Sequence, residues 1–187
     1  MSFLSKFFGQ RDAVKIDSQR IYRTLMTQSR KAEFYGAGRV SDNYDGRIDV
    51  LTLHIACVLM ALNSFGEQGE RLAQAVFDEM KDDFEVALRE EGLSDTGVAK
   101  RIKPMISHFY ARVKVYTQAL LDGGEGSGAG QEGLALAFDT LAGQEDNPLD
   151  ASFKSQLMTY TEQFSDTLMA KSLGQIALCG YDYPNLR

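Results

Sequence analysis

The most apolar stretch of the chain is residues 48–62. Twelve of its fifteen positions are apolar, and only Asp49, Thr52 and His54 interrupt the run. A helix that is apolar on nearly every side lies inside its domain, so the other helices are expected to pack around it. At 100° per residue, Asp49, Thr52 and Asn63 fall on one narrow strip, whereas His54 points elsewhere among apolar neighbours. This central helix is expected over residues 47–65, entered through the polar run 41–49 and stopped by Gly66.

The flanking segments carry helical periodicity as well. A first helix over 18–35, capped by Asp17 or Ser18 and closed by Gly36-Ala37-Gly38, turns Ile21, Leu25 and Ala32 inward. A third over 67–91 sets Leu72, Val76, Met80, Phe84 and Leu88 at fourfold spacing, widened by Phe77. The fourth opens at Ser94 or Asp95 and runs through Val98, Ile102, Met105, Phe109, Val113, Tyr116 and Leu120. Pro104 lacks a backbone donor and predicts a kink or a restart there. Residues 122–131 hold five glycines and read as a flexible connector. They are not a phosphate cradle, because no strand precedes them and no Lys-Ser/Thr follows.

A short helix over 134–141 comes next. Asn147-Pro148 then supplies a cap and a first-turn proline for a last long helix. Its inward stripe is Leu149, Phe153, Leu157, Tyr160, Phe164 and Leu168, and Gly174 ends or bends it. The whole pattern predicts an all-α, single-domain bundle of about six helices around the apolar helix at 48–65. Residues 1–16 form an N-terminal amphipathic segment, 17–180 the helical domain and 181–187 a tail.

Composition narrows the function classes. A net charge of −6 argues against DNA and against wholesale nucleic-acid binding through a basic surface. The two cysteines, Cys57 and Cys179, give neither a disulfide framework nor metal spacing, which fits a reducing, cytoplasmic compartment. No stretch reaches the roughly 18 uninterrupted apolar residues of a membrane span. Phe3, Leu4, Phe7 and Phe8 form a one-sided apolar face beside Lys6 and Arg11. Three readings stand for it: a terminal turn packed on the domain, a foot resting on a membrane surface, or a disordered end.

Three constellations suggest chemistry. Counted back from Gly46, residues 41–52 imitate a calcium loop, with Ser41, Asn43 and Asp45 at the first, third and fifth positions. Ser41 stands where Asp is needed and Thr52 where the bidentate Glu is needed, so the imitation fails and no metal is expected. The same run reads as a turn and a helix start, with Asp45 and Asp49 favourable to the helix dipole and one of them capping free amides. His54 is either a hydrogen-bonded core histidine or the base of a His–carboxylate pair with Asp45 or Asp49 in a small enzyme or lipid- or quinone-binding protein. Neither reading calls for a cofactor. Arg101, Lys103, Arg112 and Lys114, among Phe109, Tyr110 and Tyr116, are either an ordinary core-and-surface pattern or a docking face for an acidic or RNA-bearing partner.

Four blocks in order carry a family resemblance. They are Phe34-Tyr35 with Val40-Ser41-Asp42, then Asp45-Gly46-Arg47-Ile48-Asp49 with Leu51-Thr52-Leu53-His54. Next comes Leu88-Arg89-Glu90-Glu91-Gly92-Leu93-Ser94-Asp95, and last Val98-x-Lys100-Arg101-Ile102-Lys103 running to Phe109-Tyr110 and Tyr116. Together they cover about residues 20–121 and resemble the ubiquinol–cytochrome c chaperone family. The chain departs from the family pattern at Ser41, where Pro is usual, and at Ala111, where Gly is common. The resemblance implies a helical, non-enzymatic chaperone for newly made cytochrome b, working near the inner membrane in assembly of the bc1 complex. It also implies, from the mitochondrial relatives, association with ribosomes and a small partner subunit. By the same resemblance, Asp42, Asp45, Gly46, Arg47, Asp49 and His54 form one functional or structure-defining cluster. Arg89, Glu90, Tyr110 and Arg112 are its second-line companions. A client-binding chaperone also needs an apolar groove or patch, for which both Phe3–Phe8 and the apolar residues of 176–183 are candidates.

Overall fold

In the computed structural model, residues 3–123, 128–141 and 146–186 are described, with side chains from residue 12 onward. The elements run α1 (Phe3–Ser29), a 3-10 turn (Ala32–Phe34), α2 (Tyr44–Asn63), α3 (Gly66–Glu90), α4 (Asp95–Asp122), α5 (Gly128–Asp139), α6 (Ala151–Met169) and α7 (Leu173–Ala177). No strand occurs among the described residues, and an isolated parallel bridge joins Tyr35 to Val40. The all-α single domain expected from periodicity is what forms, with seven α-helices described where about six were anticipated.

α2 is the axis of the bundle. One side sends Leu51, Ile55, Val58, Ala61 and Leu62 into a core shared with α1, α3, part of α6 and the C-terminal segment. The other sends Val50, Leu53 and Ala56 into a second core built with α4, α5 and α6. Ile55 and Leu62 are fully buried, and each such side chain stabilises the fold by roughly 1.5–3 kcal/mol. The expected stripe of α3 is buried from Leu72 to Leu88.

Several boundaries differ from expectation. α1 runs through Asp17 and Ser18, which do not cap it: the Ser18 hydroxyl donates to the Lys15 carbonyl within the helix, and Asp17 pairs with Arg20 at 2.7 Å. Residues 3–16 are therefore continuous with the first helix. α1 also ends at Ser29, and residues 32–34 form a 3-10 turn in place of a last helical turn. α4 passes through Pro104 without a break. Lys100, whose carbonyl loses its donor there, is exposed, so water can replace the bond.

The glycine-rich segment is only partly a connector, because α5 begins at Gly128 and not near 134; residues 124–127 lie outside those described. Gly130 meets Gly123 backbone to backbone, and a Cβ there would lie 2.3 Å from the Gly123 Cα. These glycines let α4 and α5 touch, a packing role more than a flexible one.

The chain after α5 differs most. Asp150, not Asn147, occupies the N-cap of α6. Gly174 lies inside α7, which starts at a Ser172–Gln175 capping box. The expected tail is part of the core: Tyr181 is buried, and the Tyr183 ring stacks on Phe164 with centroids 5.0 Å apart. Ile176 is fully buried too, so most of the apolar side chains of 176–183 belong to the core, and Leu178, 67% exposed, is the large one left at the surface.

Candidate functional site

The polar run 41–49 builds a compact corner. Asn43, an unpredicted cap, accepts the Gly46 amide on its side chain at 2.8 Å and starts α2. Gly46 is buried, and a Cβ there would lie 2.2 Å from the Ser41 carbonyl oxygen. Arg47 pairs with Asp42 at 2.8 Å and lies over the Tyr35 ring, 5.8 Å from its centroid. The Asp42 carboxylate beside it raises the Arg47 pKa further above its already high ordinary value. Asp42, Asp45 and Arg47 are exposed, and the run forms the turn and helix start expected of it. Asn147 clamps the preceding loop by accepting the Gly38 amide (3.1 Å) and donating to the carbonyls of Gly36 (3.2 Å) and Arg39 (2.8 Å). Gly38, at φ +68°, has no room for a Cβ beside the Asp150 carboxylate.

Asp49 and His54 share α2 but face different neighbourhoods, about 140° apart around the helix. Asp49 is 1% exposed and lies 3.2 Å from His108 Nε2 and 3.7 Å from Arg112 Nε. Arg112 is buried as well. It donates to the Ala137 carbonyl (3.0 Å), the Thr140 hydroxyl (2.7 Å) and the Tyr116 hydroxyl, so one guanidinium closes the C-terminal end of α5. His54 is fully buried, with Nδ1 2.7 Å from the Val50 carbonyl and Nε2 2.7 Å from the Tyr160 hydroxyl. A carbonyl can only accept, so Nδ1 carries the proton and Nε2 accepts from Tyr160. Tyr160 in turn accepts from Gln28 at 3.0 Å. Rings of Phe34, Tyr160, Phe164 and Tyr183 surround the imidazole, and its burial pushes the pKa down to about 4. A His54–Asp45 or His54–Asp49 catalytic pair is not assembled.

The second-line residues are dispersed. Arg89 is exposed and reaches Glu85 (3.3 Å) and Asp95 (3.6 Å), and Glu90 is exposed beside it at the end of α3. Tyr110 is half-exposed with its ring against Phe77, whereas Phe109, Arg112 and Tyr116 belong to the interior. Phe3, Leu4, Phe7 and Phe8 fall among residues whose side chains are outside those described. Cys57 is a small core residue whose burial raises its thiol pKa to about 12. No three metal-ligating side chains cluster among the described residues, and no described helix is long and apolar enough to cross a membrane.

One open cleft adjoins the motif. Its volume is about 220 Å³, and it lies between α1, the start of α2 and the end of α3. Met26, Ile48, Leu51, Phe84 and Ala87 give it apolar walls, and Arg30, Tyr44, Arg47 and Asp83 surround them. Asp83 accepts the Tyr22 hydroxyl at 2.7 Å, leaving Tyr44 and the arginines as the adaptable part of the rim. Small-molecule pockets usually span about 300–1,000 Å³. This one suits a side chain or two of a docked polypeptide. Sequence reasoning singled out Arg47 but missed Met26, Arg30, Tyr44 and Phe84. Ile48 and Phe84 sat in stripes that read as plain core, and nothing local reveals that three helix ends leave a gap between them.

The family model for the ubiquinol–cytochrome c chaperone matches residues 37–176. Among solved structures, the crystal structure of the Cbp3 homolog from Brucella abortus is similar at a TM-score of 0.80 and 28% identity, covering 99% of this chain and 98% of that one. No curated protein matches the chain. The matched span includes the loop clamp, the α2 start, the cleft residues of α2 and α3, and the Asp49–Arg112 pair, and the chain belongs to the ubiquinol–cytochrome c chaperone family.

Proposed function

We propose that this protein is an assembly chaperone, not an enzyme, that binds newly made cytochrome b and assists biogenesis of the cytochrome bc1 complex. The observation that carries the reading is the apolar cleft beside Arg47, whose α2 and α3 walls lie inside the family-matched span. An apolar floor ringed by Arg30, Tyr44 and Arg47 can hold an apolar side chain of an unassembled membrane segment while polar groups fix its backbone. Tyr44 is 42% exposed and serves as an aromatic anchor at the mouth. His54, fully enclosed and hydrogen-bonded at both nitrogens, acts as a core residue and not as a general base.

The protein works from the cytoplasm as a peripheral visitor to the inner membrane, where its client resides. Phe3, Leu4, Phe7 and Phe8 are one membrane contact in this reading, and a small partner subunit and the ribosome are further partners. Asp42, Asp45, Gly46, Arg47 and Asn43 set the shape of the cleft wall, while Asp49 and Arg112 hold the bundle behind it.

The test is co-purification of cytochrome b with tagged wild-type protein and with Ile48→Glu and Tyr44→Ala variants, in cells making the bc1 complex. Ile48→Glu places a charge on the apolar wall, and a loss of at least tenfold in recovered cytochrome b with unchanged circular dichroism is expected. Normal bc1 assembly in a strain lacking the protein overturns the reading.

A further inference from the structure

α4 carries a charge distribution unlike the rest of the chain. Residues 96–121 contain Lys100, Arg101, Lys103, Arg112 and Lys114 and no aspartate or glutamate. The segment contributes +5 to a chain of net charge −6, which leaves −11 for the remainder. Arg112 is buried against α5, but the other four are exposed and form no ion pair among the described residues. Elsewhere Arg20, Arg47, Arg71, Lys81, Arg89 and Lys154 each lie against a carboxylate, while Lys15, Arg23, Arg30, Lys31, Arg39 and Lys171 form no ion pair among the described residues. What sets α4 apart is the absence of any acidic residue over 96–121.

Three of the four uncompensated charges, Lys100, Lys103 and Lys114, are also aligned. In helical projection Lys100, Lys103, Ser107, Tyr110, Lys114 and Leu121 fall within about 80°, opposite the buried Val98, Phe109 and Tyr116. From Lys100 to Leu121 the stripe runs about 32 Å along the helix. Its uncharged members include two large side chains, Tyr110 at 53% and Leu121 at 67% exposure.

We propose that this outer face of α4 is the surface on which the protein rests against an anionic phospholipid membrane. The inference rests on the peripheral-membrane reading above and names the face that meets the lipid. A single convex helix presenting lysines between a tyrosine and a leucine matches the headgroup boundary. There, lysine stems lie along apolar surface, ammonium groups reach phosphates, and tyrosine sits at the interface. The −11 remainder is repelled by the same membrane, so the charge asymmetry fixes the orientation. RNA fits this face less well. Tyr110, its exposed aromatic, already has its ring against Phe77, with centroids 5.1 Å apart, which leaves less of the ring for base stacking.

The test is vesicle co-sedimentation of the full chain, a chain lacking residues 1–11 and the triple variant Lys100→Gln, Lys103→Gln, Lys114→Gln. Vesicles are phosphatidylcholine alone or mixed with phosphatidylglycerol. Each lysine near an anionic surface contributes roughly a fivefold factor in partitioning, so the triple variant should bind mixed vesicles about 100-fold more weakly. The three side chains are exposed and form no ion pair among the described residues, so its melting curve should match wild type. The chain lacking residues 1–11 should keep its preference for mixed vesicles, and raising salt should weaken it. A triple variant that binds like wild type overturns the α4 assignment and leaves the peripheral reading standing. A full-length protein that sediments with neither vesicle overturns both. Retention of the wild type on polyuridylate or polyglutamate resin without lysine-dependent vesicle binding assigns the face to a different anionic partner, and likewise overturns the proposal.

Discussion

Two polar clusters meet the central helix from different sides, and they are made by different rules. At His54 the solution is neutral: imidazole, phenol and amide hand one hydrogen bond to the next inside a wall of aromatic rings. At Asp49 it is ionic: a buried carboxylate faces a buried guanidinium, and the cluster opens to water through the half-exposed His108. A neutral network can be closed off completely, because no ion has to be dehydrated. An ionic one costs several kcal/mol of desolvation and needs additional hydrogen bonds, which Arg112 finds on the end of α5. The difference teaches that α2 is held by a pH-sensitive lock on one flank and a charge-pair lock on the other.

Breaking the ionic lock should have the largest effect. Asp49→Ala leaves Arg112 buried without its carboxylate and should cost about 3–5 kcal/mol in urea unfolding. Adding Arg112→Met should not double the loss, because the uncompensated charge is then gone. A fully additive double variant would show that the two side chains do not form one unit.

The neutral lock should show itself in pH. His54 titrates near 4 in the fold against 6.5 in an unfolded chain, so below 6.5 the unfolded state binds more protons. Its stabilising contribution is complete above pH 6.5 and is lost as pH falls toward 4. Unfolding free energy should drop by about 2 kcal/mol between pH 7 and 5. A His54→Gln variant should lack this slope, and an unchanged slope would place it on other groups.

Tyr160→Phe should be milder. It strands the Gln28 amide and the His54 acceptor, a loss of about 1–3 kcal/mol by thermal melts, without salt dependence. The smallest change is expected for His108→Gln. The imidazole is 51% exposed, so its removal from Asp49 should cost under about 1 kcal/mol, and less at high salt. A His108 effect as large as that of Asp49 would erase the distinction between the buried and the solvent-facing half of the ionic cluster.

The parts of the fold legible in the sequence are those that periodicity governs. The stripes Leu72 to Leu88 and Phe153 to Leu168, inward by their spacing, are buried, and the apolar run 48–62 is the central helix. The misread parts depend on partners distant in sequence. Asn147 looks like a helix cap, yet it serves a loop 109 residues earlier. Tyr181 and Tyr183 look like a tail because their contacts, Phe164 and His54, lie on other elements. Arg112 resembles a surface charge until its place between Phe109 and Tyr116 is projected on a helix, which turns it inward. The motif residues Asp42 to Arg47 were found through family resemblance. The cleft they border was not, because a gap is a property of three helix ends together and of no single segment.

The closure of the His54 cage also has a temporal meaning. His54 lies in the first third of the chain, and its phenol partner comes 106 residues later, with Phe164 and Tyr183 later still. During vectorial synthesis the central helix therefore emerges with a polar ring and an apolar flank that α1 and Phe34 can cover only in part until α6 and the residues after it follow. The protein must itself pass through an exposed state, and its core is sealed only after residue 183 has left the ribosome.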